Sequence, residues 1–169
     1  MSIRYIDFDG VILDTDELLF AEWRKRPNHH FLSEEEKVKY ISEQDWDFIV
    51  KNSSPLNGSI DILREMNPDR NCILTKVHSL ANEGTAKIKF IKSQGIELPI
   101  ILVPYTVSKT DVVSAYGNIL VDDSIRNLNE WLSMGGYPMF FDRLGTNIDP
   151  WGEKNKKYQK VLKIDEIKR

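Results

Sequence analysis

The chain has 169 residues, 41% hydrophobic and 29% charged, the balance of an ordinary globular protein with room for one domain or one domain carrying a small insertion. A net charge of -3 and a pI of about 5.7 argue against bulk nucleic-acid binding, which calls for a basic excess, and leave small polar substrates open. A single cysteine, Cys72, excludes a disulfide within the chain, and no apolar run reaches membrane-spanning length. With no basic-then-apolar leader pattern at the start, a cytoplasmic location without a membrane partner is the expectation.

The first element is the most informative. Tyr5-Ile6 runs straight into Asp7-Phe8-Asp9-Gly10, which reads as a buried strand delivering two carboxylates to one sheet edge. Gly10 lets the chain turn away sharply. Like charges held so close call for a counter-charge, and a hard cation such as magnesium suits carboxylate oxygens.

Residues from Asp16 to Arg24 then read as a helix with Thr15 or Asp16 as its N-cap, ended by Pro27-Asn28. Ser33-Glu34-Glu35-Glu36 has the pattern of a capping box and opens a second helical region carrying Val38, Ile41, Phe48 and Ile49 towards Lys51. Roughly forty residues of helix between the first strand and the next unit exceed an ordinary connection of about 2–6 residues. Such an insertion can fold over the sheet edge as a cap spanning 16–55, beside a core of 1–15 and 56–169. Phe20, Trp23 and Trp46 either cover the sheet or face a substrate. His29 and His30 have no partner motif and read as solvated.

From Asn57 the alternation becomes regular. Helix 59–66 leads to strand 71–75, helix 79–94 to strand 99–103, and 108–113 to strand 118–121, which ends in Asp122-Asp123. Helix 125–134 and strand 137–141 come next, with a possible edge strand at 160–164 after a less legible tail. This order predicts an α/β fold: a parallel sheet wrapped by helices. A parallel sheet would bring Asp7 and Asp9, Thr75-Lys76 and Asp122-Asp123 to one edge, and Lys109 lies shortly before the last of these strands. Carboxylates for a cation, a hydroxyl with backbone donors, and a mobile cation are what phosphoryl transfer requires. Singly, Thr75 reads as a turn residue, Lys109 as a solvated lysine and Asp122-Asp123 as a helix cap; jointly they point to chemistry.

Asp7-Phe8-Asp9-Gly10-Val11 with Asp14-Thr15 resembles the first motif of the haloacid-dehalogenase-like (HAD) hydrolases, Ile73-Leu74-Thr75 their second, Lys109 their third and Val121-Asp122-Asp123 their fourth. The stretch from Lys109 to Asp123 is further similar to the 5′(3′)-deoxyribonucleotidase branch, although Ser124-Ile125 stand where that branch has arginine and proline, and Lys76 is atypical. The resemblance implies a HAD-type Rossmann-like parallel sheet with a small helical cap after the first strand. It implies a Mg²⁺-dependent phosphomonoesterase in which Asp7 attacks phosphorus and Asp9 serves as acid and then base. Asp7, the Asp9 backbone carbonyl and an acid of the Asp122-Asp123 pair would hold the cation; Thr75, the amide of Lys76 and the Lys109 ammonium would bind phosphate. The favoured substrate is a (deoxy)nucleoside monophosphate, with a sugar phosphate as the alternative. A phospho-acceptor signalling module and a non-catalytic binding protein are the readings from other classes; Asp9-Gly10 and the long insertion favour the hydrolase.

Overall fold

The computed structural model describes residues 2–27 and 33–166; His29 and His30 lie outside them. Six parallel strands form one sheet in the order β3-β2-β1-β4-β5-β6. They are β1 (Arg4–Ile6), β2 (Asn71–Val77), β3 (Ile100–Pro104), β4 (Ile119–Asp122), β5 (Tyr137–Phe141) and β6 (Gln159–Val161). β1 is central, with Ile6 beside Ile73 of β2 on one side and Val121 of β4 on the other. All strands point the same way, so the residues after β1, β2 and β4 emerge at one edge of the sheet.

The strand sequences are apolar on both faces because both faces are covered. Successive side chains alternate between two cores. Ile6, Ile73, Val121, Met139 and Phe141 belong to one, with Phe8, Trp46 and Leu63. Tyr5, Cys72, Leu74, Leu120 and Phe140 belong to the other, where Tyr5 meets the Trp131 ring edge-on at 5.4 Å.

Among the described residues, four short helices lie between β1 and the next helix of the core. They are α1 (Thr15–Leu19), α2 (Ala21–Arg24), α3 (Glu34–Ser42) and α4 (Trp46–Asn52). The capping box expected at Ser33 is present: its hydroxyl accepts from the Glu36 amide at 3.2 Å, and the Glu36 carboxylate accepts from the Ser33 amide at 3.1 Å. The single helical region expected from Ser33 to Lys51 is instead two helices, because Asp45 breaks the run and caps α4 by accepting from the Phe48 amide at 2.9 Å. Asp14, not Thr15 or Asp16, stands at the N-cap of α1, and its carboxylate is drawn away to Arg143.

Beyond α5 (Ser59–Glu65) and β2, the helix expected over 79–94 begins with a π turn at Leu80–Gly84 before α6 (Thr85–Ser93). Its wider bond runs from the Gly84 amide to the Ser79 carbonyl at 2.9 Å. α7 (Lys109–Val112) and α8 (Ile125–Ser133) follow. Gly95, Gly117 and Gly135 take the left-handed conformation expected at helix ends, whereas Gly136 does not. No helix among the described residues is long and apolar enough to cross a membrane.

Candidate active site

β1 delivers Asp7 at the sheet edge, and Phe8 to Leu13 then fold into a tight turn in which the Ile12 and Leu13 amides both bond the Phe8 carbonyl. Gly10 sits in this turn at φ +71°, and a Cβ there would lie 1.9 Å from Asp123 Oδ2. Only glycine permits both the backbone angle and the approach of the Asp123 carboxylate.

β4 ends on Asp122, and α7 supplies Lys109. The Lys109 ammonium is 2% exposed and bonds Asp7 Oδ1 at 2.9 Å and Asp122 Oδ2 at 2.7 Å. Asp122 is further held by the Ser124 amide at 2.8 Å and by Asn127 Nδ2 at 3.0 and 3.2 Å. Ser124 in turn caps α8, so that helix starts where the acids end. Asp123 lies beside them and accepts no hydrogen bond from a described residue.

Burial dominates the electrostatics. It pushes the Asp7 carboxyl up to about 7, opposed by Lys109 and reinforced by Asp122 and Asp9. Burial also lifts Asp123 well above the carboxylate range, with Asp122 and Asp7 adding to the effect. Burial alone would lower Lys109, but Asp122 and Asp7 outweigh it and hold the ammonium charged. Three buried carboxylates around one ammonium leave excess negative charge, which is the demand a hard cation satisfies. Carboxylate oxygens of Asp7, Asp122 and Asp123 lie within 4.8 Å of one another. Octahedral Mg²⁺ takes oxygen ligands at about 2.0–2.1 Å, and three gathered carboxylates are the donor chemistry that fits that cation.

The Asp9 side chain stands outside this carboxylate cluster. Its Oδ1 accepts from the Thr15 hydroxyl at 2.8 Å, and its Oδ2 is paired with the ammonium of Lys87. Lys87 is fully buried and bonds Glu83 at 2.6 Å as well. Neither residue belongs to a motif legible in the sequence, yet a signal exists: Glu83, Lys87 and Ile91 share one stripe of a helix, and the first two are charges on a buried face.

Asp7, Asp9 and Asp123 open onto a cavity of about 490 Å³, within the usual range for small-molecule sites. Lys76 and His78 of the β2 edge line it, as do Phe20, Lys37 and Trp46 of the insertion and Trp151 of the C-terminal segment. Burial lowers the Lys76 ammonium, with Glu130 opposing. The His78 ring stacks on Tyr105 at 5.0 Å, and the Lys37 ammonium lies 4.0 Å over the Trp151 ring. Phe20 and Trp46 thus both pack and line the cavity, whereas Trp23 packs against Tyr40 and Phe20. Thr75 is not brought to the cavity wall: β2 runs two residues beyond it, and its fully buried hydroxyl lies 3.3 Å from Lys87 Nζ.

No protein-family profile matches the chain, and no curated protein matches it in sequence. Solved structures do match. The HAD-hydrolase YfnB from Bacillus subtilis, bound to magnesium, aligns with a TM-score of 0.61 at 13% identity over 98% of this chain and 96% of that one. A HAD phosphatase from Thermococcus onnurineus aligns at 0.57, with 11% identity over 96% and 94%. D,D-heptose 1,7-bisphosphate phosphatase from Burkholderia thailandensis aligns at 0.53, with 13% identity over 95% and 92%. The fold is that of the HAD hydrolases. In this HAD-type fold the acids of β1 and β4 share the carboxyl edge of the sheet, where ligands of open α/β sheets bind.

Proposed function

We propose that this chain is a HAD-type phosphomonoesterase working through an aspartyl-phosphate on Asp7. The observation that carries the reading is the meeting of Asp7 and Asp123 at a cavity that Asp9 also lines, with Asp122 and Lys109 buried directly behind them. Asp7 attacks the phosphorus of a bound monoester, and the bond to the ester oxygen breaks as Asp9 gives that oxygen a proton. Asp9 then takes a proton from water, the hydroxide displaces phosphate from Asp7, and both carboxyl groups return to their starting states. Lys109 offsets the charge of Asp7 and of the incoming phosphate.

Asp7, the Asp9 backbone carbonyl and Asp123 would hold Mg²⁺. Asp123 is favoured over Asp122 as the direct ligand because Lys109, Ser124 and Asn127 already occupy the Asp122 oxygens. When bound, the ion supplies charge neutralisation and orientation of the phosphate. Residues 16–55 would serve as a cap beside a core of 1–15 and 56–169, and Phe20, Lys37 and Trp46 of that stretch line the cavity. Lys76 and Lys37 suit an anionic substrate, and Phe20, Tyr105 and Trp151 suit a planar one, which favours a (deoxy)nucleoside monophosphate over a sugar phosphate.

Phosphate release from 5′- and 3′-nucleoside monophosphates, sugar phosphates and an aryl phosphate, with Mg²⁺ and with chelator, tests this. Metal-dependent release concentrated on nucleotides, and lost in Asp7→Asn, is the expected result. Release from the aryl ester alone would overturn the nucleotide assignment. An Asp7→Asn protein with full activity would overturn the mechanism.

A further inference from the structure

One group at the site takes no part in that mechanism: the buried ammonium of Lys87. It is boxed by the Phe8 and Trp46 rings, at 5.2 and 5.1 Å, and by the carboxylates of Asp9 and Glu83. Glu83 is itself fixed, since its Oε2 accepts from the His78 amide at 2.7 Å. The π turn at Leu80–Gly84 brings Glu83 and Lys87 onto one inward-facing stripe, four residues apart. π turns inside helices occur frequently at functional sites.

Stability alone does not explain this cluster. Replacing buried ion pairs by well-packed apolar groups is often neutral or stabilising, so ion pairs retained under a reactive group point to a task there. Burial would lower the Lys87 pKa, but Asp9 and Glu83 outweigh it and raise it above the ordinary value, so the side chain stays an ammonium.

We propose that Lys87 is the positioning residue for Asp9, fixing the carboxylate so that Oδ1 is the oxygen that exchanges a proton with substrate and water. An ammonium can only donate, so the Asp9 Oδ2 it bonds is committed as an acceptor. Among the described residues the remaining oxygen, Oδ1, meets only the Thr15 hydroxyl, and the Asp9 side chain is 28% exposed towards the cavity. Lys87 forms and breaks no covalent bond and keeps its proton throughout. Two anchors on one carboxylate remove its rotational freedom before substrate arrives, which is what proximity catalysis needs. This inference rests on the phosphomonoesterase reading, and specifically on Asp9 as its acid and base.

The test compares wild type, Lys87→Met, Asp9→Asn and the double variant by kcat/KM on phenyl phosphate and 4-nitrophenyl phosphate with saturating Mg²⁺. General acid-base catalysis contributes about 10²–10⁴-fold, so Lys87→Met loses about 10²-fold on phenyl phosphate. It loses less on the nitrophenyl ester, whose leaving group has little need of a proton. In the Asp9→Asn background Lys87→Met causes no further loss. Should Lys87→Met fold poorly because Glu83 is left unpaired, Glu83→Gln/Lys87→Met removes both charges and is read in the same way. Losses that multiply with Asp9→Asn, or that are equal on both esters, would overturn the role of Lys87 and leave the phosphatase reading standing. A fully active Asp9→Asn protein would overturn both the role of Lys87 and Asp9 as the acid and base.

Discussion

Replacing Lys109 by methionine removes the one ammonium shared by Asp7 and Asp122 while keeping most of the side-chain volume. Breaking a buried ion pair costs about 3–5 kcal/mol because the partner charge is left uncompensated. Asp122 retains the Ser124 and Asn127 donors, and Asp7 can take up a proton. The loss therefore falls at the low end, about 3 kcal/mol. For a chain of this size that lowers the melting midpoint by about 6–12 °C. The sign of the pH dependence comes from Asp7. Its folded value, raised to about 7 by burial, moves higher still once the opposing pull of Lys109 is gone. A carboxyl raised on folding contributes stability that is fully present below its unfolded value and is lost as pH rises through the folded value. The penalty of Lys109→Met is accordingly larger at about pH 8 than at about pH 6. Urea unfolding of both proteins with chelator at the two pH values measures it. A penalty below about 1 kcal/mol, or one that grows towards acid, would refute the reasoning.

The geometry predicts three further outcomes. Gly10→Ala strains the turn by about 1–2 kcal/mol and displaces the Asp123 carboxylate, so a thermal melt falls and Mg²⁺ no longer raises it; an unchanged metal response would place Asp123 outside the cation site. Mg²⁺ at about a hundredfold over its Kd stabilises the wild type by about 2.7 kcal/mol and leaves Asp123→Asn nearly unmoved, read by calorimetry; equal shifts in both proteins would contradict the assignment. Cys72 is 6% exposed and burial pushes its thiol up to about 11, so a thiol reagent labels it only after denaturation, and rapid labelling of the native protein would show that this core opens.

The fold is legible in the sequence because strand and helix periods alternate cleanly from Asn57 onward, and because apolar runs ending in acid mark the carboxyl edge of a parallel sheet. Asp7, Asp9, Asp122 and Asp123 stand out for the same reason: each comes after a run that must be buried. Other parts of the site depend on long-range placement. Lys87 sits in an ordinary amphipathic helix and gains meaning only when β1 sets Asp9 beneath it, 78 residues away. Arg143 belongs to a tail with no periodicity, yet it reaches Asp14 and Asp16 at the start of the insertion. Thr75 has the sequence context of a strand end, but β2 extends to Val77 because Lys76 and Val77 still pair with β3. The break at Asp45 is hidden in the sequence because Val38, Ile41, Phe48 and Ile49 keep an apolar rhythm across it.

The most direct test of the central claim is to trap the covalent intermediate. Asp9→Asn protein, given Mg²⁺ and an activated aryl phosphate, is quenched in acid and digested, and the phosphate is located by mass spectrometry. A hydroxylamine-sensitive phosphoryl group on Asp7 is the predicted result, absent from Asp7→Asn. Hydrolysis by the wild type with no phosphoryl group on Asp7 in the trapped protein would contradict the account.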